Sequence, residues 1–167
     1  MQFISSDSNI WLDFHVINRL DAPFLLKDIY TFLISRDTLE AEIITPPDLV
    51  EKLTSHGLQQ TELTEDEYLL AVRLKEKYIS LSSYDTFALA IAKLRGIILL
   101  SGDGPLRKAA IKEKVEVHGT IWIVDRLAEE GRVSNSEYCA ILQELLNHCG
   151  KDRFLPISEI QKRLCKS

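Results

Sequence analysis

The sequence predicts an α/β fold, a three-layer α/β/α arrangement with a central parallel sheet and a C-terminal helical extension. Short apolar runs of buried-strand length, Phe3-Ile4-Ser5, Leu33-Ile34, Ile97 to Leu100 and Val115 to Val117, alternate with stretches of helical periodicity. Strands separated by helices are joined by crossovers, which makes their pairing parallel. With 167 residues, 46% hydrophobic and 27% charged, the chain has apolar material for one well-buried domain, and its composition excludes disordered and fibrous classes.

Each element has its own signal. After the strand at Phe3 to Ser5, the residues Ile10, Phe14, Ile17 and Leu20 fall on one helical face, which predicts a helix starting near Ser8. A second helical stretch is predicted over Phe24 to Phe32. Leu33-Ile34 then reads as a buried strand feeding a helix near Thr38. Pro46-Pro47 breaks the chain, and Asp48 to Ser55 reads as a short helix closed by Gly57. Thr64 and Glu67 have capping-box spacing ahead of a helix carrying Leu70, Leu74 and Tyr78. These middle helices read as an insertion.

The stripe Phe87, Ala88, Ile91 and Leu94 stops at Gly96, immediately before the strand Ile97 to Leu100. Pro105 opens a helix carrying Leu106, Ala109 and Ala110, followed by the strand at Val115 to Val117. Thr120 to Glu130 is a helix stopped by Gly131. Ser134 and Glu137 then cap one carrying Tyr138, Ile141, Leu142 and Leu145, and a last helix follows Pro156. No linker-like stretch, repeat or glycine-rich phosphate loop interrupts this series. The expected organisation is a domain over residues 1–125 with a helical extension, 126–167, packed on it.

Charge and cysteines narrow the function classes. Lys plus Arg number 20 against 25 Asp plus Glu, a net charge of -5, the wrong sign for a protein that coats phosphate backbones. Cys139, Cys149 and Cys165 are odd in number and form no C-x-x-C pair, which points to neither a disulfide framework nor a zinc site. No apolar run approaches the ~18 residues of a membrane span, and the N-terminus lacks a signal-peptide pattern, so a cytoplasmic protein without membrane contact is expected.

In an open parallel sheet, ligands bind outside the carboxyl ends of the strands. Asp7 follows the first strand there, and Asp103 follows Ile97 to Leu100. Asp85 sits in the first turn of a helix that a right-handed crossover starts at the same edge, and Glu42, read as early in the helix after Leu33-Ile34, is a fourth acid for it. Taken singly, each acid is what a helix start selects through its free backbone donors and dipole. As a set, several like charges in one crevice repel unless a cation or proton offsets them. Carboxylates without histidine or thiolate suit Mg²⁺ or Mn²⁺, ions that meet phosphate oxygens, and so phosphodiester chemistry.

Three stretches resemble the PIN-domain family. Ile4-Ser5-Ser6-Asp7-Ser8-Asn9-Ile10 is similar to its opening strand running into Asp-x-Asn, and Leu39-Glu40-Ala41-Glu42-Ile43 to its second acidic motif. Ser83-Tyr84-Asp85, Phe87-Ala88-Leu89-Ala90 and Leu99-Leu100-Ser101-Gly102-Asp103 resemble the segment bearing the third and fourth acids. His118-Gly119-Thr120 and the helices beyond resemble a subgroup with a helical C-terminal extension. The resemblance implies a Mg²⁺- or Mn²⁺-dependent endoribonuclease in which Asp7, Glu42, Asp85 and Asp103 are catalytic and metal-binding, supported by Asn9 and Ser101. Glu40 is the alternative to Glu42, which Leu39 and Ile43 frame as the family pattern requires.

The same resemblance, to toxins of type II toxin-antitoxin pairs, implies an RNA substrate and an antitoxin protein as partner, and allows a homodimer. Arg107 and Lys108, on the helix beside Asp103, are candidates for substrate phosphates, whereas Lys93 and Arg95 are carried to the far edge of the sheet and read as surface charges. His15, His56, His118 and His148 have no metal spacing, and Trp11 and Trp122 lie in periodic apolar segments that read as core. Two other functions compete: a catalytically weak or inactive module that binds RNA or protein, and phosphotransfer through Asp7 as a covalent nucleophile. The second lacks its usual partner acid, because position 9 is Asn.

Overall fold

A computed structural model describes residues 1–151 and 153–166 of the chain. Five parallel strands form one sheet in the order β3-β2-β1-β4-β5: β1 Gln2–Ser6, β2 Tyr30–Ser35, β3 Gln59–Thr61, β4 Ile98–Leu100 and β5 Val117–His118. Ile4 of β1 registers with Phe32 on one side and Ile98 on the other, and Leu99 with Val117. Successive side chains of a strand face opposite ways. Ile98 and Leu100 thus enter a large apolar cluster with Ile4, Tyr30, Phe32 and Ile34, while Leu99 enters a second cluster on the other face.

The first face is covered by α1 (Ser8–Val16), a 3-10 turn (Ala22–Leu26), α3 (Leu49–His56), α7 (Thr120–Glu129), α8 (Asn135–His148) and α9 (Ile157–Lys166). The second is covered by α4 (Glu65–Lys77), α5 (Ser83–Arg95) and α6 (Gly104–Lys112). The short α2 (Arg36–Glu42) follows β2 directly and packs against α1 and α5. The result is the three-layer α/β/α architecture. Trp11, fully buried, stacks on Phe24 at 5.3 Å between ring centres, meets Phe32 edge-on, and donates from Nε1 to the Ser6 hydroxyl at 3.0 Å.

The predicted helix over Phe24 to Phe32 is instead the 3-10 turn followed by β2. All six residues of β2 are buried, and a short strand buried on both faces shows no alternation to set it apart from a buried helix. The edge strand β3 has no sequence signal, because Gln59 and Gln60 are exposed and polar. Nor are the middle helices an insertion: α3 supplies Leu49 and Leu53 to the first cluster, α4 supplies Ala71 and Leu74 to the second, and β3 between them belongs to the sheet. Helix α1 stops at Val16, and Asn18 follows in the left-handed region at φ 56°, a conformation asparagine tolerates.

Thr64 and Ser134 form the expected capping boxes with Glu67 and Glu137. Beyond residue 125, Leu127, Ile141, Leu142, Leu145 and Ile160 join the same cluster as Ile4 and Trp11. Positions 152 and 167 of the predicted extension lie outside the described residues. Among the described residues no helix is long and apolar enough to cross a membrane.

Candidate active site

β1 and β4 are neighbours whose following helices leave to opposite faces of the sheet, which opens a crevice at their carboxyl ends. Asp7 leaves β1 there as the N-cap of α1, and its backbone N–H is held by the Leu100 carbonyl at 2.9 Å. The Asp7 side chain is 2% exposed. Ser101, fully buried just past β4, donates to Asp7 Oδ2 at 3.1 Å and accepts from the Asp103 N–H at 3.0 Å, so one hydroxyl joins the two strand-end acids. Asn9 Nδ2 donates to Asp7 Oδ2 at 3.3 Å.

Glu42 arrives differently from the expectation. It is the last residue of α2 rather than an early one, because Ser35 caps that helix through the Thr38 N–H and α2 starts as soon as β2 ends. The helix nonetheless brings Glu42 to the crevice, where Oε2 accepts from the Ser8 hydroxyl at 2.6 Å. Glu40 turns away and pairs with Arg36 at 2.8 Å on the exposed side.

Asp85 and Asp103 are each half engaged in capping. Asp85 Oδ2 accepts from the Ser82 N–H at 2.7 Å while its own N–H donates to Ser82 Oγ, a capping box, and Asp103 Oδ2 accepts from the Leu106 N–H at 2.9 Å. Each of these two carboxylates keeps one oxygen outside its cap.

Like charges act on one another along the crevice, Asp7 with Glu42 and Asp85, Glu42 with Asp85, and Asp85 with Asp103. Burial, followed by the nearby Asp85 and Glu42, pushes Asp7 up to about 7, against the pull of the Ser101 and Asn9 hydrogen bonds. Burial also raises Glu42, with Asp85 adding to it, and raises Asp85, with Asp103 adding to that. Four carboxylates and a serine hydroxyl are hard donors, and their mutual repulsion calls for positive charge, so the set fits Mg²⁺ or Mn²⁺ in chemistry and charge. In this arrangement, among the described residues, no three His, Cys, Asp or Glu side chains converge closely enough to hold an ion.

Arg107 reaches the base of the site, but its Nη1 donates to the Ser101 carbonyl at 2.9 Å. A Cβ on Gly119 would stand 3.3 Å from that Nη1, so the glycine leaves the guanidinium room. Lys108 is exposed on α6. Lys93 and Arg95 are more engaged than surface charges: Lys93 pairs with Glu113, and Arg95 with Glu67, whose side chain is 3% exposed.

Sequence reasoning missed a polar network beside the acids. Asp13, 3% exposed on α1, accepts from Thr120 Oγ1 and from Arg153 Nε, the latter at 2.5 Å. Arg153 Nη2 also donates to the Asn9 carbonyl and to Asn9 Oδ1, at 3.0 and 3.1 Å. With its oxygen taken, the Asn9 amide directs Nδ2 to Asp7. An acid within the apolar run Ile10 to Phe14 signals a buried charge. No local pattern signals a partner 140 residues away.

No curated protein matches the chain. A family model described as DUF3368: PIN domain matches residues 3–164, which takes in the strand-end acids and the helices after them. The protein with this crevice between β1 and β4 therefore belongs to the PIN-domain family.

Proposed function

We propose that the protein is a cytoplasmic, Mg²⁺- or Mn²⁺-dependent endoribonuclease that hydrolyses RNA phosphodiester bonds at the Asp7, Glu42, Asp85 and Asp103 cluster. The observation that carries this reading is the burial of Asp7 at the switch point of a nuclease-like fold, where the charges of Asp85 and Glu42 act on it. Asp7, Glu42 and the free oxygens of Asp85 and Asp103 would hold the ion. When bound, such a cation acidifies water and offsets charge on the departing oxygen.

The chain's own groups supply placement. Ser101 and Asn9 fix one Asp7 oxygen, Ser8 fixes one Glu42 oxygen, and the caps of α5 and α6 fix Asp85 and Asp103, so each carboxylate is oriented before substrate arrives. A phosphodiester meets repulsion from this cluster until its charge is offset, which makes activity depend on added cation. The test is cleavage of a single-stranded RNA pool with Mn²⁺ or Mg²⁺ by the wild type, Asp7→Asn and Asp103→Asn. Loss of cleavage in both variants with the fold retained is expected; undiminished cleavage by both overturns the proposal.

A narrower form of this reading is the toxin of a toxin-antitoxin pair. Expression would then arrest growth, and the product of an adjacent small gene would relieve it. The second reading, an inactive PIN-like module that binds RNA or protein, is favoured by the caps that hold Asp85 and Asp103 and by the lack of ligand-distance convergence. Titration of Mn²⁺ followed by electron paramagnetic resonance separates the two. Uptake that Asp103→Asn abolishes supports the nuclease; no uptake with or without RNA supports the module.

A further inference from the structure

A cavity of about 610 Å³ lies beside the acidic cluster, at the starts of α6 and α7 and under the segment leading into α9. Gly102 and Gly104, the two neighbours of Asp103, are both in its wall, so cavity and acids share one backbone turn. His118 and Trp122 also line it, with rings stacked 4.5 Å apart and 9° from parallel. Trp122 is therefore not wholly a core residue: it is half-buried between this cavity and Tyr30. Phe154 lines the cavity from the C-terminal extension and is 87% exposed.

We propose that this cavity receives one unstacked base of single-stranded RNA, adjacent to a phosphate at the acidic cluster; the placement of that phosphate rests on the nuclease reading above. Three observations converge on a base. The chain carries a net charge of -5, so it lacks the general attraction for phosphates and must draw affinity from elsewhere in the strand. An exposed phenylalanine and a histidine-tryptophan stack offer flat surfaces, and aromatic contacts to bases supply such affinity without depending on net charge.

The charged groups of the cavity are also engaged. Arg163 is bound by Asp125 through two nitrogens and by Glu159, and Arg107, the other guanidinium of the lining, is turned to the Ser101 carbonyl, which leaves hydrogen-bonding edges on both. Such a lining offers a heterocycle both donors and acceptors. The volume lies in the roughly 300–1,000 Å³ range of small-ligand sites, room for a base with its ribose. Bases inside a duplex are stacked and cannot enter, which sets the preference for single strands.

The test uses the full chain without divalent metal and three fluorescent probes: oligoadenylate and oligouridylate octamers, and an octamer of the same ribose-phosphate backbone without bases. Fluorescence anisotropy is expected to show tighter binding of at least one base-bearing octamer than of the abasic one. Phe154→Ala, at an exposed position, should weaken that octamer by about 5- to 50-fold and leave the abasic octamer unchanged. His118→Ala should act in the same direction, with circular dichroism reporting that both variants are folded.

Equal binding of all three probes overturns the proposal, as does no binding, or an affinity that Phe154→Ala does not change; an unchanged affinity would leave the aromatic face to a protein partner. Base-dependent binding in a chain that cleaves no RNA with any cation would keep the base site and reject the nuclease reading. Cleavage that needs Asp7 but ignores the bases would do the reverse.

Discussion

Carboxylates at two places in this molecule have opposite fates. At the carboxyl edge of the sheet, Asp7 is buried among Glu42 and Asp85 and is pushed up to about 7. Where α6 ends, Glu113 receives Lys77, Lys93 and the Tyr78 hydroxyl and is held down to about 2. Exposure alone does not separate them, since the Glu113 side chain is itself only 7% exposed. The difference is the loss of water around Asp7 first, and then the sign of the company. Around Glu113, charges of opposite sign cancel and the carboxylate ties α4, α5 and α6 together. Around Asp7, like charges accumulate and the fold leaves the imbalance in place, as a site that recruits an external cation does.

The largest expected effect breaks the acidic side of this contrast. Asp7→Asn should lower RNA cleavage by at least ~10³-fold, because it removes charge from the centre of the cluster without removing bulk. Asn9→Ala should cost less, about 10-fold, since Ser101 still holds the same Asp7 oxygen. Single-turnover cleavage with saturating Mn²⁺ reads both. A smaller loss for Asp7→Asn than for Asn9→Ala would show that the acid is not where the chemistry happens.

Much of this arrangement was legible in the sequence, for reasons specific to each element. Asp7 and Asp103 follow short apolar strands, and parallel topology fixes where such residues go. Asp85 sits three residues after Ser82, and capping geometry fixes its place in the first turn. Glu42 was harder. Its route to the crevice depends on where α2 starts, which a serine cap decides, and on a helix lying across the sheet edge, which no periodicity encodes. Leu33-Ile34 was legible as strand, but the first half of β2, Tyr30 to Phe32, reads as helix because residues buried on both faces look alike in either period, and β3 was invisible because an edge strand needs no apolar face. Arg153 was out of reach for another reason: long-range polar pairing leaves no local pattern at either partner.

That long-range pair gives the next largest effect. Among the described residues, Arg153 is the cation that acts most on Asp13, which burial already pushes upward. Arg153→Met should destabilise the protein by about 3 kcal/mol at neutral pH, because it strands a buried carboxylate. Adding Asp13→Asn should recover a good part of the loss. Urea unfolding of the two single variants and the double variant measures the interaction; additive losses would mean that the pair is not coupled. The same variant should lower cleavage, since Asn9 loses the guanidinium that holds its amide oxygen.

Asp7 predicts a gain in stability. Its pKa in the fold is raised from 3.8 to about 7, so the neutral form is favoured and ionisation opposes folding. Stability from this group is therefore full below about pH 4 and is lost progressively as the pH rises toward 7. Asp7→Asn, which cannot ionise, should raise metal-free stability by about 2 kcal/mol at pH 8 and by almost nothing at pH 4. Mn²⁺ should recover the difference in the wild type and leave the variant unmoved, as thermal melts at the two pH values would show. A variant less stable than the wild type at pH 8 would mean that the acidic cluster is already neutralised within the protein.

Glu113 sharpens the contrast from the other side, with the smallest effect. Its pKa is lowered from 4.5 to about 2, so its contribution is present above about pH 4.5 and disappears as the pH falls through 2. Lys77 is 62% exposed and Lys93 37%, and solvent screens exposed partners, so Glu113→Gln should cost only about 1 kcal/mol at neutral pH. Salt should shrink that cost further, whereas the gain from Asp7→Asn, which reflects burial first, should survive in high salt. Urea midpoints for both variants at low and high ionic strength test the pairing directly. If the two respond alike, the division between a satisfied and an unsatisfied carboxylate does not hold, and the case for a cation-recruiting site weakens with it.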